Sequence, residues 1–210
     1  GNVIYADDLV DLFGVDAVRY YLIHEIPFSS DGNITYDLLI ERINSDLANV
    51  LGNLVHRTIS MGQKYFDGVI TNKGVSESVD DDFISKIHGL DSKVEKKMDN
   101  LEISDAVTEI FNVLRASNKY IDETMPWSLA KDEEKRDRLE TVLYNLLDSI
   151  RVCALFLGAY LPSTSKSILK QINNFNDSLN FVNDNSYKLN TPEVLFQRID
   201  KESILEKLTK

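Results

Sequence analysis

Three polar side chains recur at four-residue intervals in one stretch of the chain: Asn49, Asn53 and Arg57. On a helix, each interval turns the direction by only about 40°, so the three project within an arc of about 80° and span about 12 Å. Asn offers a pair of donors and an acceptor that match the edge of an unpaired base, and Arg adds a planar fork for a base edge or a phosphate. Spacing alone also describes an ordinary solvated helix face, the commoner meaning of such a row. Trp127, the single tryptophan, directly follows Pro126. An aromatic ring at a helix end can be a platform on which a base stacks, or it can cap a bundle with its ring on the core.

Other chemistry has no residues to carry it. The chain contains no Gly-rich phosphate loop, nucleophile elbow or HExxH motif. His24, His56 and His88 show no metal-ligand spacing and read as satisfied surface or core histidines. Cys153, in the most apolar stretch, reads as a small buried hydrophobe. Asp80-Asp81-Asp82 reads as a loop leading into a helix start, not a paired acid and base. No catalytic or metal-ligating set is expected.

Positioning a row and a ring requires long helices, and the apolar spacing supplies them. Leu39, Ile43, Leu47, Val50, Leu51, Leu54, Thr58 and Met61 step by three or four from Thr35, a plausible N-cap, to about Tyr65. Further amphipathic runs are predicted over 82–94, over 104–124 (ended by Pro126) and over 132–160. The last, the most apolar, is expected to lie deepest. Pro162 breaks it, a shorter helix follows over 165–172, and another closes the chain at 202–208. Two short helices precede all of these, one starting at Asp7-Asp8 and stopped at Gly14, the next capped by Asp16. Turn formers from Pro27 to Asn33 mark a junction, Gly68 to Ser78 reads as loop, and Asn173 to Asn190 as irregular. No segment alternates cleanly enough for a sheet. The expected fold is all-α, an antiparallel helix bundle, divided as 1–33, 34–174 and an irregular tail with a short terminal helix at 175–210.

With 34 acidic and 23 basic residues among 210, the net charge of −11 argues against coating nucleic-acid backbones through bulk charge. One cysteine excludes an intramolecular disulfide and fits a reducing cytosol. No apolar run approaches the ~18–20 residues needed to cross a bilayer, and no signal peptide is recognisable at the start.

Longer motifs resolve the ambiguity of the row and the ring. The run Asn118-Lys-Tyr-Ile-Asp-Glu-Thr-Met-Pro-Trp127 resembles the segment of methionyl-tRNA synthetases that presents a Pro-Trp pair to the anticodon. Asn44 to Arg57, which contains the Asn49, Asn53 and Arg57 ladder, resembles that family's anticodon-reading helix. Gly1-Asn2-Val3, Asp8-Leu9 and Phe13 to Tyr20 resemble the stretch after its Lys-Met-Ser-Lys-Ser loop, and Pro27 to Gly32 resembles a bacterial form. Leu195-Phe-Gln-Arg-Ile199 resembles its Leu-Phe-Pro-Arg-Ile, with Gln197 where Pro is usual.

The resemblance covers essentially the whole chain. It implies a stem-contact segment at 1–33 followed by the helical anticodon-binding domain of a class I aminoacyl-tRNA synthetase. Neither a His-Ile-Gly-His-type motif nor Lys-Met-Ser-Lys-Ser occurs in the sequence. The resemblance therefore implies a fragment without a catalytic domain, holding no cofactor and unable to activate methionine. Its parent would be a cytoplasmic ligase using ATP and Mg²⁺, and the fragment's partners would be the anticodon loop of methionine tRNA and the N-terminal catalytic domain in cis. By the same resemblance Trp127 stacks on an anticodon base, Asn53 and Arg57 bond base edges, Asn49 supports them, and Pro126 fixes the ring. The alternatives are the equivalent domain of a cysteinyl, leucyl or valyl enzyme, and a helical protein–protein scaffold.

Overall fold

Gly14, with φ of 83°, separates the first two helices, α1 (Ala6–Phe13) and α2 (Val15–Glu25), in a conformation that residues with a Cβ resist. The computed structural model describes residues 5–26 and 34–208, the last four by backbone alone, so Val3-Ile4 and the Pro27–Asn33 loop lie outside the described residues. Asp16 does not cap its own helix as expected. Its Oδ2 crosses to the N-terminus of α10 (Pro162–Ile172) and accepts from Thr164 N at 2.6 Å and Thr164 Oγ1 at 2.7 Å. The free N–H groups of a helix start favour a carboxylate there. Pro162 opens α10 as its first residue, where a missing N–H costs nothing, so the helix begins earlier than expected.

The rod predicted from Thr35 is present, with Thr35 Oγ1 accepting from Leu38 N at 3.2 Å as N-cap. It is not uniformly α. It comprises α3 (Tyr36–Arg42), a π-helical segment (Ile43–Gly52) and α4 (Asn53–Phe66), with Leu39, Ile43, Leu47, Leu51 and Leu54 buried along one side. Gly52 suits the π geometry, because a Cβ there would lie 3.1 Å from the Leu47 carbonyl oxygen, five residues back. The C-terminal strap crosses this segment: Asn44 Nδ2 donates to Ile199 O at 2.9 Å, and Ile199 N donates to Asn44 Oδ1 at 2.7 Å.

The remaining elements are β1 (Val69–Thr71), α5 (Ser78–His88), α6 (Leu90–Asp99), α7 (Ile103–Thr124), α8 (Pro126–Leu129), a 3₁₀ turn (Glu133–Lys135), α9 (Arg136–Leu157), β2 (Ser186–Lys188) and α11 (Lys201–Leu208). β1 and β2 form an antiparallel ribbon pairing Ile70 with Tyr187. Three-residue strands are too short to show a period of two, so this ribbon departs from the sheet-free expectation without leaving a trace in the sequence pattern. The segment read as irregular also contributes Phe181, Tyr187 and Leu189 to the core.

α9 runs antiparallel to α7, with Ser149 against Ser117 and Asn145 against Tyr120, and it is the deepest helix as expected. Every residue from Arg138 to Ala154 is buried. A helix enclosed on all sides buries its polar positions too, and these must be satisfied internally. Arg151 spends all five of its donors, on both Asp148 oxygens and on the carbonyls of Asn176, Ser178 and Asn180. Asp148 also accepts from Val182 N, Asn185 Nδ2 and Tyr187 O–H. This pair shapes the Asn-rich segment that composition alone leaves irregular. Arg151→Ala strands a buried carboxylate and three carbonyls, so it is expected to cost about 3–5 kcal/mol in chemical denaturation.

Candidate nucleic-acid interface

α7 lies parallel to the rod that carries the ladder. Arg115 Nη2 donates to Asp46 Oδ1 at 3.0 Å, and Asn118 Nδ2 donates to Val50 O at 3.0 Å. Asp46 is buried and also accepts from Tyr20 O–H at 2.9 Å. Burial, reinforced by Asp46, pushes the Tyr20 phenol well above its ordinary value. Arg42 is drawn into the same network, bonded to Glu25 and 3.8 Å from Asp46. Arg42 and Asp46 therefore do not extend the ladder, although uniform α geometry puts them on its side. The intervening π turns carry more residues each and shift the phase between Arg42 and Asn53.

Asn49, Asn53 and Arg57 are exposed, and none makes a side-chain hydrogen bond or ion pair with another described residue. Arg57 shares this with Arg198, whereas Arg19, Arg42, Arg115, Arg136, Arg138 and Arg151 are each engaged. Lys119, on the neighbouring helix, pairs with Glu123 at 3.2 Å.

Six residues past Asn118, α7 ends at Thr124, in the same direction along the parallel pair as Asn53 and Arg57 lie from Val50. Met125 then takes a left-handed conformation (φ 44°), its N–H closing on Ile121 O at 2.9 Å. Pro126 follows as the buried first residue of α8, and Trp127 is 40% exposed. A non-Gly residue at positive φ costs roughly 1–3 kcal/mol and persists only where its surroundings impose it. Here the buried proline on one side and the end of α7 on the other fix the turn that carries the indole outward. The indole is not sealed in the core, and its N–H has no partner among the described residues.

The end of α7 is held from within. Tyr120 O–H donates to Asp80 Oδ1 at 2.5 Å and accepts from Asn145 Nδ2 at 3.1 Å, while its ring stacks on Phe83 with centroids 4.3 Å apart. Arg138 clamps both Asp80 oxygens, at 2.5 and 2.9 Å. Asp80 is thus a fully buried anchor in the first turn of α5, inside a capping box with Glu77. Burial alone would raise its carboxyl, but hydrogen bonds from Arg138, Tyr120 and the Glu77 N–H outweigh that and hold it below the ordinary range. Cys153 is fully buried, its thiol pushed up to about 12 by burial, which suits an inert apolar residue. Among the described residues no group of His, Cys, Asp or Glu could hold a metal.

This bundle, with its helix-borne row and terminal Pro-Trp, has the architecture of a class I synthetase anticodon-binding domain, and the comparisons specify it. Residues 1–59 match the family model "tRNA synthetases class I (M)", and residues 70–209 match "Anticodon binding domain of methionyl tRNA ligase". The chain belongs to the family of anticodon-binding domains of methionyl-tRNA ligases.

It is 47% identical over its whole length to a methionine–tRNA ligase of Caldanaerobacter subterraneus and 45% identical over 99% of its length to that of Clostridium tetani. It covers 34% and 33% of those proteins, so it spans about a third of the relatives it matches. A crystal structure of Mycobacterium tuberculosis methionyl-tRNA synthetase bound by methionyl-adenylate superposes with a TM-score of 0.87 at 32% identity, over 94% of this chain and 40% of that one.

The ladder and Pro-Trp are visible in sequence; their supports Asp80, Arg138 and Asn118 are not. Asp80 sits in a triple-Asp run that looks solvated, and only its burial against α9 marks it out. Because its folded-state carboxyl titrates below the unfolded one, its contribution is complete above the unfolded value near 3.9 and fades as pH falls through the folded value. Asp80→Asn should therefore lower the denaturation midpoint strongly at pH 7 and much less at pH 3, narrowing the gap from the parent as acid is added.

Proposed function

We propose that this chain reads the anticodon loop of methionine tRNA through Asn49, Asn53, Arg57 and Trp127, with Pro126 holding the indole in place. The observation that carries this reading is the pairing of two unpartnered features at one end of the bundle. One is a row of exposed donors on a rod whose Arg42 and Asp46 are engaged elsewhere, and the other is a half-exposed indole just past the end of the neighbouring parallel helix. Asn53 and Arg57 bond base edges, Asn49 supports them, and Trp127 stacks on an unstacked base. One stacking contact contributes about 1–3 kcal/mol and one bidentate base contact about the same, enough for selective binding without a basic surface.

The parent protein, of which this chain matches about a third, is on this reading a cytoplasmic methionine–tRNA ligase. It consumes ATP with Mg²⁺ at a catalytic domain outside the chain, so the chain itself does not activate methionine. Residues 1–33 form the segment that meets the tRNA stem, 34–174 the bundle that meets the anticodon, and 175–210 the strap closing over it. No described helix is long and apolar enough to cross a membrane.

Trp127→Ala and Arg57→Ala are each expected to weaken binding of an anticodon stem-loop carrying CAU by at least tenfold while helical circular dichroism and melting hold. Because Trp127 is the only tryptophan, the parent's fluorescence should change on titration. Unchanged fluorescence would point to a protein scaffold instead, and tighter binding of a loop with another anticodon to a different synthetase. Salt sets a further test. With Arg42 and Lys119 paired internally, few phosphates are neutralised, and at about 0.7 per phosphate the slope of log K against log salt should stay shallower than about −2. A steep slope would contradict readout through bases.

A further inference from the structure

We propose that Asn118 is a positioning residue of this surface: its bridge to the Val50 carbonyl fixes the phase of the π turn, and thereby aims Asn49 along the same face as Asn53 and Arg57. The inference rests on the anticodon reading above and assigns the group that makes the row straight. Asn118 is half-buried on α7 and uses its amide nitrogen twice, on Leu114 O of its own helix at 3.1 Å and on Val50 O of the rod at 3.0 Å. Val50 lies in the last turn of the π segment, where pairing runs five residues back, as the Asn53 N–H shows by closing on Ala48 O. One residue of slippage there, from five-back to four-back pairing, would turn everything before the slip by about 100° relative to α4. Asn53 and Arg57 lie beyond that point and would keep their direction; Asn49 lies before it and would leave the row.

Arg115 and Tyr20 hold Asp46 near the start of the π segment, and Asn118 holds Val50 near its end. The strap grips it at Asn44 and passes beside Gly52, but Asn118 is the side chain that bonds a carbonyl next to a ladder residue. The same helix leads through the Met125 turn into α8, where Trp127 lies nine residues after Asn118, so α7 adjoins both the row and the ring. The bridge is neutral and short, and the amide has two hydrogens to give, which an aspartate or alanine lacks.

The test is a double-mutant cycle in the intact protein with the CAU stem-loop as probe. Asn118→Ala is expected to weaken binding about three- to tenfold, the scale of one hydrogen bond. Asn49→Ala should do the same, and the pair together no more than either alone, because both remove the same contact. Combined with Arg57→Ala, Asn118→Ala should be additive, and Asn118→Asp, which keeps the shape and loses the donors, should match Asn118→Ala. Full additivity of Asn49→Ala with Asn118→Ala would overturn the proposal, as would normal binding by Asn118→Ala. Collapse of helical circular dichroism in both Asn118 variants would do so too, by making the residue packing only. If Arg57→Ala and Trp127→Ala also bound normally, the anticodon reading itself would have failed, an outcome distinct from failure of the Asn118 bridge alone.

Discussion

Enclosure of α9 is the constraint from which the rest of the bundle follows. A helix buried at every position from Arg138 to Ala154 cannot turn a polar face to water, so each charged group on it requires a partner from another element. Arg138 takes Asp80 from α5, which in turn takes Tyr120 from α7; Arg151 and Asp148 take the backbone of the 176–182 segment and Tyr187 from the ribbon. Buried ion pairs add little net stability over well-packed apolar groups, yet losing one partner is costly. Their effect is therefore on arrangement: they admit one placement of α5, α7 and the C-terminal segment around the central helix.

On the proposed anticodon reading, that arrangement explains how an acidic protein can present a binding tip. Most cations are spent internally or on neighbouring carboxylates. Among the exposed, unengaged groups on the rod are the Asn49 and Asn53 amides and the Arg57 guanidinium, with an indole at the adjoining helix end. Amides and rings distinguish bases, whereas ammonium groups mostly follow phosphates. On that proposed reading, such a tip favours selectivity over long-range attraction. The two family matches meet between residues 59 and 70, within and just after α4, although the hydrophobic core passes through that boundary without a gap. The ladder comes from the first match and the Pro-Trp pair from the second, so neither portion alone contains the whole surface.

Helix periodicity made the bundle legible because burial of one face leaves a 3.6-residue imprint on sequence. The stripe from Leu39 to Leu54, the central position of α9 and the stops at Gly14 and Pro126 all follow from it. Three kinds of feature left no such imprint. The π segment keeps the same apolar residues as an α-helix and reveals itself in the five-back bond from Asn53 N–H to Ala48 O and the engaged positions of Arg42 and Asp46. The Ile70–Tyr187 ribbon is too short to alternate. Asp16, Asp80 and Asp148 look like surface acids until their partners, 148, 58 and 39 residues away for Thr164, Arg138 and Tyr187, are known. Long-range pairing of polar groups carries no local period.

The bond from Asp16 to the start of α10 gives the molecule a mechanical character. Tyr20 and Tyr21 are sunk in the same core as α7, and Asp16 fastens the other side of the N-terminal helix pair to a helix stacked on α9. Among the described residues α2 is thus fastened to the bundle on two sides, so displacement of α7 or α10 is passed to it through direct contacts.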